Sequence, residues 1–537
     1  MLDGFVPWPD DLAHRYRERG WWAGRTLGAE LRGWARRSGD RTALVAGPER
    51  WSYRDLDHRA DAVSARLAAA GITRGDVVVL QLDNTASFVA VIFGLFRLGA
   101  RPVVALPAHR RSEIEYFCTA TGATACLVPE PGDGFDHRAL AEEVREVVPT
   151  LRTVLVVGGP APGVLDVGPA RPGEPAPPAE IDDPSDVALL LLSGGTTGLP
   201  KLVPRTHDDW SYSGRAMAET IPYDASTVTL VGLPIGHNWT LTHGMLATFH
   251  AGGTLVVAPS PDPEQAFGLV ERERVTDTGL VPGMAMLWMS EAEWTPHDLS
   301  SLRRVAIGGT KLAEEVARAV EPALGCRLQQ MFGMAEGLVG FVRDDDPDEM
   351  RVLSQGRPIS DGDELRVVDD TDRDVPPGEP GELLTRGPYT IRGYFDAPEH
   401  DVRAFTRDGY YRTGDLVRVL PGGFVVFEGR VKDQINRGGE KIAAEEVENH
   451  LHAHPAVRDV LVVGVPDRVL GERCCACVVP EGPPPTLAGI REFLTGRGLA
   501  AYKFPDLLEI VEEFPVTGLG KVSKKLLAQQ VAAGGAR

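Results

Sequence analysis

Apolar residues along the first third of the chain recur in two periods, which predict helices and strands in alternation. Residues 56–67 carry apolar side chains at helical spacing, and Ser52 with Asp55 before them is typical of a capped helix start. The other predicted helices of this part lie at 88–98, 113–121 and 140–147, and the predicted strands at 77–80, 101–106, 125–128 and 154–157. Strands that alternate with helices predict parallel sheets with covering helices, and therefore an α/β fold.

A Pro/Gly-rich connector interrupts this alternation at residues 158–184. Because proline lacks a backbone N–H, we expect a surface loop there without helix or ladder hydrogen bonds. Alternation then resumes, with predicted strands near 228–233, 254–258, 278–281 and at 304–307. From about residue 351 short strands and turns predict a small, mostly β subdomain. We place a domain boundary at 429–433, which divides the chain into residues 1–429 and residues 430–537.

The size and charge of the chain exclude some classes of protein. At 537 residues it is too long for one ordinary core, and its net charge of −20 argues against a nucleic-acid partner. No run of eighteen apolar residues occurs, and the N-terminus lacks the pattern of a signal peptide, so we expect no membrane partner and a cytoplasmic location. Cys474, Cys475 and Cys477 precede a Val-Val pair without a second ligand pair, so buried positions are favoured over a metal site.

A glycine-rich stretch follows the four leucines at 189–192 and suits a triphosphate. Glycine lets backbone N–H groups approach a phosphate closely, and a lysine adds a full positive charge. The stretch comprises Ser193, Gly194, Gly195, Thr196, Thr197, Gly198 and Lys201. It is not a Walker A loop, because Leu202 stands where that motif needs Ser or Thr. Taken alone, the stretch fits a phosphate cradle or a solvated turn about equally well.

Five motifs in order give the chain a resemblance to the adenylate-forming enzymes over nearly all of its length. They are SGGTTGLPK (193–201), MFGMAEG (331–337), YRTGD (411–415), GRVKDQINRGGEKI (429–442) and PVTGLGK (515–521). LPAHR (106–110), GHNW (236–239) and FGMAEGLV (332–339) resemble the branch that activates 2,3-dihydroxybenzoate or salicylate. The resemblance implies a large N-terminal domain of two parallel-type α/β sheets plus a small β subdomain, followed by a small mobile α+β C-terminal domain.

The family's reaction is ATP-dependent formation of an aryl adenylate with release of pyrophosphate, followed by transfer of the aryl group to a phosphopantetheine thiol. Two anions must meet in the first step, so the site needs fixed positive charge. The resemblance implies that Lys521 bridges the carboxylate and the α-phosphate, that Glu336 holds Mg²⁺, and that Asp415 with Arg430 binds the ribose. The rest of the ATP-binding set that it implies is Gly308, Gly309, Thr310, Gln330, Met331, Phe332 and Gly333.

The resemblance also implies a moving C-terminal lid. The lid would rotate about Lys432 after adenylation and bring a second face to the site. That face carries Arg437, Gly438 and Gly439, with Glu440 next to them, and its paired glycines would admit a pantetheine arm. No carrier or condensation domain is visible in the sequence, so the expected partner is an aryl carrier protein acting in trans, as in siderophore or aryl-capped peptide synthesis.

The acid pocket implied by the resemblance includes Gly308 and departs from the family pattern at one place. Asn238 is expected to bond an ortho substituent, with His237 and Trp239 flanking the ring. Val339 is the smaller of the two residues the branch uses, which favours 2,3-dihydroxybenzoate over salicylate. Thr242, His243 and Gly244 then form a segment one residue shorter than usual and without its proline, so either Thr242 or His243 lines the pocket.

Several alternatives stay open from the sequence. Thr310 and Met331 replace smaller apolar residues, so 3-hydroxyanthranilate or 3-hydroxypicolinate remains a candidate acid. An aryl- or acyl-CoA ligase would share every catalytic residue and differ only in its thiol acceptor. A nucleotide-binding protein without catalysis is disfavoured, because Lys521, Glu336 and Asp415 are all intact.

Overall fold

The structure is a computed structural model that describes residues 2–132, 134–161, 163–193, 200–309, 311–437, 440–467, 470–497, 499, 501–516 and 522–534. Its helices are α1 (Asp10–Glu18), α2 (Leu27–Ser38), α3 (Tyr53–Ala69), α4 (Ala86–Leu98), α5 (Arg111–Thr121), α6 (His137–Val147), α7 (His207–Thr220), α8 (Ala247–Ala251), α9 (Pro263–Glu273), α10 (Pro282–Ala292), α11 (Glu314–Leu324), α12 (Asp348–Leu353), α13 (Pro398–Ala404), α14 (Ala444–His452), α15 (Leu487–Gly496) and α16 (Lys524–Gly534). A π-helix covers Thr240–Leu246, and 3₁₀ turns cover Val431–Asp433 and Ala501–Lys503.

The strands belong to four sheets within the described residues. They are β1 (Thr42–Ala46), β2 (Glu49–Ser52), β3 (Val77–Gln81), β4 (Arg101–Ala105), β5 (Ala125–Pro129), β6 (Thr153–Gly158), β7 (Val164–Asp166), β8 (Val187–Leu192), β9 (Leu202–Thr206), β10 (Val228–Val231), β11 (Thr254–Val257), β12 (Asp277–Leu280), β13 (Arg304–Ile307), β14 (Arg327–Gly333), β15 (Val339–Phe341), β16 (Arg357–Pro358), β17 (Glu364–Val368), β18 (Gly381–Arg386), β19 (Tyr411–Leu420), β20 (Phe424–Arg430), β21 (Gln434–Arg437), β22 (Glu440–Ala443), β23 (Val457–Asp467), β24 (Gly471–Pro480) and β25 (Leu507–Ile510).

Two large, mainly parallel sheets form the body of the N-terminal part, which confirms the predicted α/β class. One has the order β7-β6-β5-β3-β4-β8-β9, and β9 is antiparallel to its neighbour β8. The other has the order β16-β15-β14-β13-β12-β10-β11-β1-β2, with antiparallel pairs at both ends. The predicted strand at 304–307 is β13, and it pairs in parallel with β12 and β14.

Helices α3 and α4 lie between the two large sheets. One apolar core joins Leu44 of β1 with Val78 of β3, and it includes Val63 of α3 and Phe93 of α4. Helix α4 is apolar on all sides and almost fully buried, as a helix covered on both faces must be. Ser52 and Asp55 form the predicted capping box of α3, which fixes where that helix begins.

The prediction for the 158–184 connector is wrong in part. Val164–Asp166 forms β7, a short parallel strand at the edge of the sheet, and Leu165 is buried. The segment after β7 is also fixed, because the Arg66 guanidinium donates to the carbonyls of Asp166 and Gly168. Three residues between prolines and glycines suffice for an edge strand, because the neighbouring strand supplies the partners for their backbone groups.

The predicted small β subdomain is present as the antiparallel sheet β17-β18-β19-β20. Its last strand ends at Arg430, and the sheet of the C-terminal part begins at Gln434 with the order β22-β21-β24-β23 and β25 beside β24. Arg497 of α15 pairs with Glu315 of α11 across the two parts, at 3.3 Å between Nη2 and Oε1. The division at 429/430 stays a prediction.

The buried positions predicted for Cys474, Cys475 and Cys477 are confirmed. All six cysteines are buried free thiols, including Cys474, Cys475 and Cys477 in β24. Among the described residues, no group of three or more His, Cys, Asp or Glu side chains is arranged to hold a metal ion. No described helix is long and apolar enough to cross a membrane.

A buried carboxyl group lies where the C-terminal part begins. Glu445 of α14 has its Oε2 atom buried without a hydrogen-bond partner among the described residues. Burial raises the pKa of Glu445 to about 7, although Lys524 of α16 lowers it. Lys524 itself pairs with Glu448, at 2.7 Å between Nζ and Oε1. Glu445 is therefore a carboxyl group in an environment that favours its neutral form.

We expect Glu445→Gln to stabilise the protein at pH 8 and to have little effect at pH 5. A carboxyl whose pKa is raised in the folded state contributes stability that is complete below pH 4.5 and is lost as the pH rises through about 7. After allowance for partial exposure, the gain at pH 8 should be about 1 to 2 kcal/mol. Chemical denaturation at both pH values measures it. Glu492→Gln on the exposed face of α15 is the matched control, and equal gains from both variants would contradict the burial argument.

Candidate active site

The glycine-rich stretch connects the antiparallel strands β8 and β9. Its base is closed by two hydrogen bonds, from Ser193 N to Lys201 O at 2.9 Å and from Lys201 N to Ser193 Oγ at 3.3 Å. The predicted phosphate-binding residues Gly194, Gly195, Thr196, Thr197 and Gly198 lie outside the described residues. The phosphate-binding role of this loop therefore stays a prediction.

Lys201 lies at the end of this loop against helix α13. Its Nζ atom is 2.7 Å from His400 Nε2 and 4.8 Å from the centre of the Tyr394 ring. Burial, with the Lys201 charge beside it, lowers the pKa of His400, so the imidazole is neutral and accepts from the ammonium group. A full positive charge is thereby fixed next to the glycine-rich loop.

Glu336 is buried at the accepting end of a chain of hydrogen bonds from two tyrosines. Tyr394 Oη donates to Glu336 Oε1 at 2.6 Å and lies 2.9 Å from Tyr411 Oη. A carboxylate only accepts, so Tyr411 must donate to Tyr394. Burial and the Glu336 charge raise the pKa of both phenols, which keeps them protonated as donors. The backbone of Glu336 is fixed as well, because its carbonyl accepts from Ile391 N at 2.8 Å.

The chemistry of Glu336 fits a magnesium ligand. Tyr394 donates to one carboxylate oxygen, Oε1, and so leaves the second oxygen for a metal ion. Carboxylate oxygen is the ligand that Mg²⁺ prefers, and Mg²⁺ at phosphate sites takes only one or two protein carboxylates.

Asp415 and Arg430 face each other across the hairpin of β19 and β20. The two residues are register partners, and Arg430 Nε lies 2.7 Å from Asp415 Oδ1. Asp415 is buried, whereas the Arg430 side chain is about half exposed. Thr413 ties both residues to β19, because its Oγ1 accepts from Asp415 N and its carbonyl accepts from Arg430 Nη1. This geometry holds one carboxylate ready to accept from vicinal hydroxyls.

Among the predicted adenine-binding residues, Gly308 and Gly309 directly follow β13, and Met331 and Phe332 lie on β14. A Cβ atom on Gly308 would lie 2.3 Å from Met331 Cγ, so only glycine allows this approach. Gly309 has φ +93°, which also requires glycine. Phe332 packs against Phe427, with ring centres 5.9 Å apart, and Gly333 pairs with Val339 of β15. Thr310 lies outside the described residues.

The Gln330 side chain has a structural role. Its Nε2 atom donates to the Arg351 carbonyl at 3.0 Å, and its Oε1 atom accepts from Gln355 Nε2 at 3.1 Å. The side chain is buried in this network behind β14. If Gln330 contacts a nucleotide as predicted, its backbone would have to make that contact.

Asn238 is held between the loop that carries Glu336 and the π-helix. Its Nδ2 atom lies 3.5 Å from the Met334 carbonyl, and its Oδ1 atom accepts from Thr242 Oγ1 at 3.3 Å. Thr242 in turn accepts from Trp210 Nε1 at 3.1 Å. Thr242 is therefore a hydrogen-bond partner of Asn238. The sequence alone did not indicate a contact between these two residues. Val339 is buried on β15 in the same apolar cluster as Trp239 and Met331.

The other predicted pocket residues lie at different depths. His237 is exposed, and its Nδ1 atom accepts from Trp239 N at 3.3 Å. Trp239 is buried and lies over Gly279, where a Cβ atom would be 3.0 Å from the indole ring. His243 is buried and stacked on Phe341, with ring centres 5.4 Å apart. Thr242 and His243 are both buried, as is every residue of the π-helix.

The predicted lid residues are described only in part. The turn that contains Lys432 lies directly after β20. Arg437 ends β21 and makes a bidentate ion pair with Asp506, at 2.7 Å for both bonds. Gly438, Gly439 and Lys521 lie outside the described residues. The roles of the hinge, the tunnel and the lysine stay predictions.

Known protein families and individual known enzymes match almost the whole length of the chain. The AMP-binding enzyme family matches residues 31–395, and the AMP-binding enzyme C-terminal domain matches residues 446–521. A 2,3-dihydroxybenzoate-AMP ligase of Bacillus subtilis (strain 168) is 54% identical over 533 residues, covering 99% of this chain and 98% of the relative. A salicyl-AMP ligase / salicyl-S-ArCP synthetase of Mycobacterium tuberculosis (strain ATCC 25618 / H37Rv) is 47% identical, with coverages of 99% and 95%.

Solved structures agree with these relatives. The apo structure of MbtA from Mycobacterium smegmatis is 43% identical with a TM-score of 0.75, and the match covers 98% of this chain and 99% of that one. An anthranilate CoA ligase, AuaEII, in complex with anthranoyl-AMP has a TM-score of 0.83 at 25% identity, with coverages of 95% and 98%. The fold is therefore that of known adenylate-forming enzymes.

Proposed function

Since the chain belongs to the AMP-binding enzyme family, and within it to the aryl acid–AMP ligases, we propose that it activates an ortho-substituted aromatic acid with ATP and loads it onto a carrier protein. One observation supports this most directly. Asn238 contacts the Met334 carbonyl, and Met334 lies two residues before Glu336. The residue that would recognise the acid and the residue that would face the phosphates therefore lie on touching segments.

In the first half-reaction the acid's carboxylate oxygen attacks the α-phosphorus of ATP, the new O–P bond forms and pyrophosphate leaves. The side chains of this chain bring the two anions together and hold them in place. Asp415 would accept from the ribose hydroxyls, and Lys201 would face the phosphates with its fixed charge. Mg²⁺, held by Glu336, would supply the positive charge that the phosphates need near a carboxylate. Lys521 would complete the site from the lid.

In the second half-reaction a thiolate attacks the acyl carbon of the adenylate, a thioester forms and AMP leaves. The site must first exclude water and then admit a tethered thiol, which a rotation about Lys432 would allow. Arg437 is held by Asp506 at the end of β21 and would face the pantetheine arm with Gly438 and Gly439. The carrier would bind in trans, and a cytoplasmic location stays a prediction.

A CoA ligase is the second candidate, because the name of one relative gives both CoA ligation and adenylation as its activities. A salicylyl-CoA synthase / salicylate adenylyltransferase of Streptomyces sp is 47% identical over 541 residues. Pyrophosphate exchange with a panel of hydroxy- and amino-substituted aromatic acids tests the adenylation step. Thioester formation with coenzyme A and with a pantetheinylated aryl carrier protein then separates the two candidates. Absence of exchange with every aromatic acid would refute the proposed function itself.

We expect Asn238→Ala to lower kcat/KM for salicylate or 2,3-dihydroxybenzoate by about 10- to 100-fold, because an ortho hydroxyl loses its buried partner. Benzoate lacks that hydroxyl and is the internal control, so its kcat/KM should change by less than about 3-fold. Pyrophosphate exchange measures both rates on the same enzyme preparation. Equal losses on benzoate and salicylate would remove Asn238 from the acid pocket.

A further inference from the structure

A cavity of about 610 Å³ lies apart from the candidate active site and is lined by residues of α2, α7 and α8. Glu30 and Arg37 come from α2, Arg215 from α7 and His250 from α8, and Arg25 lies just before α2. As far as the structure describes the chain, none of the predicted active-site residues lines this cavity. Its volume is in the range of small-molecule sites, so it has room for a second ligand.

Two arginines at the mouth of the cavity have no counter-ion in contact with them. Arg25 Nη1 and Arg37 Nη1 lie 4.0 and 3.6 Å from the point where a Cβ atom on Gly33 would be, so both guanidinium groups reach over the same turn of α2. Both side chains are exposed, and within the described part of the chain neither makes an ion pair or a hydrogen bond. Neighbouring like charges repel each other, and an anion bound between them removes that repulsion.

A buried carboxyl group lies deeper in the same cavity. Glu30 is 6% exposed, and burial raises its pKa, although the charges of Arg25, Arg37 and Arg215 lower it in part. No described residue is close enough to the Glu30 carboxylate for an ion pair or a hydrogen bond. The opposite charges therefore face each other across the cavity without contact. A ligand that carries both an anionic group and a hydrogen-bond donor would pair with both sides.

Aromatic rings form the apolar part of the wall. Trp21 and Tyr212 line the cavity with ring centres 6.4 Å apart, and Tyr223 lines it as well. Arg215 is fixed at this wall, because its Nη2 atom donates to the carbonyls of Gly20 and Trp21 at 2.6 and 2.7 Å. Its guanidinium carbon lies 5.5 Å from the centre of the Tyr212 ring. Such a wall favours a ligand with an aromatic ring.

The balance of charge in the cavity limits the charge of the ligand. His250 is neutral at pH 7, because burial lowers its pKa to about 3. The positive charge therefore comes from the three arginines, and Glu30 and the exposed Glu219 oppose it. Three arginines against two glutamates favour a ligand with a single negative charge. A carboxylate meets this condition better than a nucleotide or a phosphate does.

We infer that this cavity is a second binding site, separate from the active site, for a hydroxylated aromatic carboxylate. The carboxylate would lie between the guanidinium groups of Arg25 and Arg37, which pair well with planar carboxylates. The ring would pack against Trp21 and Tyr212, and the hydroxyl would donate to Glu30. The inference does not depend on the proposed function, because it concerns a cavity that contains none of the residues assigned to adenylation.

Equilibrium dialysis of the full-length protein with 4-hydroxybenzoate tests the inference. The active site is first saturated with a non-hydrolysable aryl adenylate analogue, and 4-hydroxybenzoate has no ortho group for Asn238. We expect one equivalent to bind. Benzoate lacks the hydroxyl and phenol lacks the carboxylate, so each should bind at least about 10-fold more weakly. Absence of binding, or equal binding of all three compounds, would overturn the inference.

Variants of the cavity then assign the bound equivalent to this place. Arg25→Ala combined with Arg37→Ala should weaken the binding of 4-hydroxybenzoate by at least about 10-fold, and because both side chains are exposed the protein should still fold. Arg36→Ala is the matched control, because Arg36 is an exposed neighbour on α2 that does not line the cavity. It should change the affinity by less than about 2-fold. Equal effects of the control and the double variant would overturn the inference.

The role of the buried carboxylate has its own readout. Glu30→Gln keeps the shape of the side chain and removes its charge, so the hydroxyl loses a charged acceptor. The preference for 4-hydroxybenzoate over benzoate should then fall to less than about 3-fold, while benzoate itself binds at least as well as to the parent. A preference that stays unchanged in Glu30→Gln would overturn the assignment of the hydroxyl to Glu30 and with it the proposed ligand class.

Discussion

Lys521→Ala should lower aryl adenylate formation by about 100- to 1,000-fold, because removal of one fixed donor at a developing anion has an effect of that size. Val516 and Val522, on either side of the segment that includes this lysine, pair with each other, and both valines are exposed. These two flanking valines therefore meet at an accessible place on the C-terminal part. In the proposed mechanism the lysine serves only the step in which the carboxylate meets the α-phosphate.

The two half-reactions separate this role from a general loss of folding. Pyrophosphate exchange reports adenylate formation, and transfer from pre-made aryl adenylate to the carrier protein reports thiolation. Thiolation should survive in Lys521→Ala within about 3-fold. Lys525→Ala, an exposed lysine of α16, is the matched control and should leave both steps unchanged. Equal loss of both half-reactions in Lys521→Ala would mean that the lysine has another role.

Regular elements with clear periodicity could be predicted from the sequence. The capped start of α3 and the limits of β13 follow from side chains within the element itself. Strand β7 could not be predicted, because its partners lie on β6 and its own sequence is dominated by the turn-forming residues around it. The local pattern therefore fails where an element depends mainly on the backbone of its neighbour.

The candidate site divides in the same way. Glu336 and Asp415 lie inside motifs, so the sequence alone identifies them. Tyr394 and His400 lie in no such motif, and they reach Glu336 and Lys201 only because the chain folds back over 58 and 199 residues respectively. Among the supporting residues, Tyr411 and Thr413 carried a sequence signal, since both lie in the YRTGD motif.

The sequence could not show which of Thr242 and His243 lines the acid pocket, and the reason is a different one. The segment forms a π-helix, whose i→i+5 hydrogen bonding changes which positions share a face. A helical or strand period read from the sequence therefore assigns the wrong face to at least one of them. In the structure both are buried, with Thr242 bonded to Asn238 and His243 bonded to Tyr223.

Glu336→Gln should lower adenylate formation by about 100-fold or more and raise the Mg²⁺ concentration needed for half-maximal exchange. The substitution keeps the shape of the side chain and an acceptor for Tyr394, whose Oη lies 2.6 Å from Oε1. It removes the negative charge, and a neutral amide binds Mg²⁺ much more weakly than a carboxylate does. Pyrophosphate exchange at a series of Mg²⁺ concentrations measures both effects.

Tyr394→Phe is the matched control, because it removes the hydrogen bond and keeps the charge. It leaves Glu336 buried without its phenol donor, so a loss of about 10-fold is expected from a less well oriented carboxylate. The Mg²⁺ dependence should stay near that of the parent, because the metal ligand is still present. If both variants shifted the Mg²⁺ dependence equally, orientation by Tyr394 rather than the carboxylate charge would control metal binding. If neither variant shifted it, Glu336 would not be the magnesium ligand, and its buried chain with Tyr394 and Tyr411 would be structural.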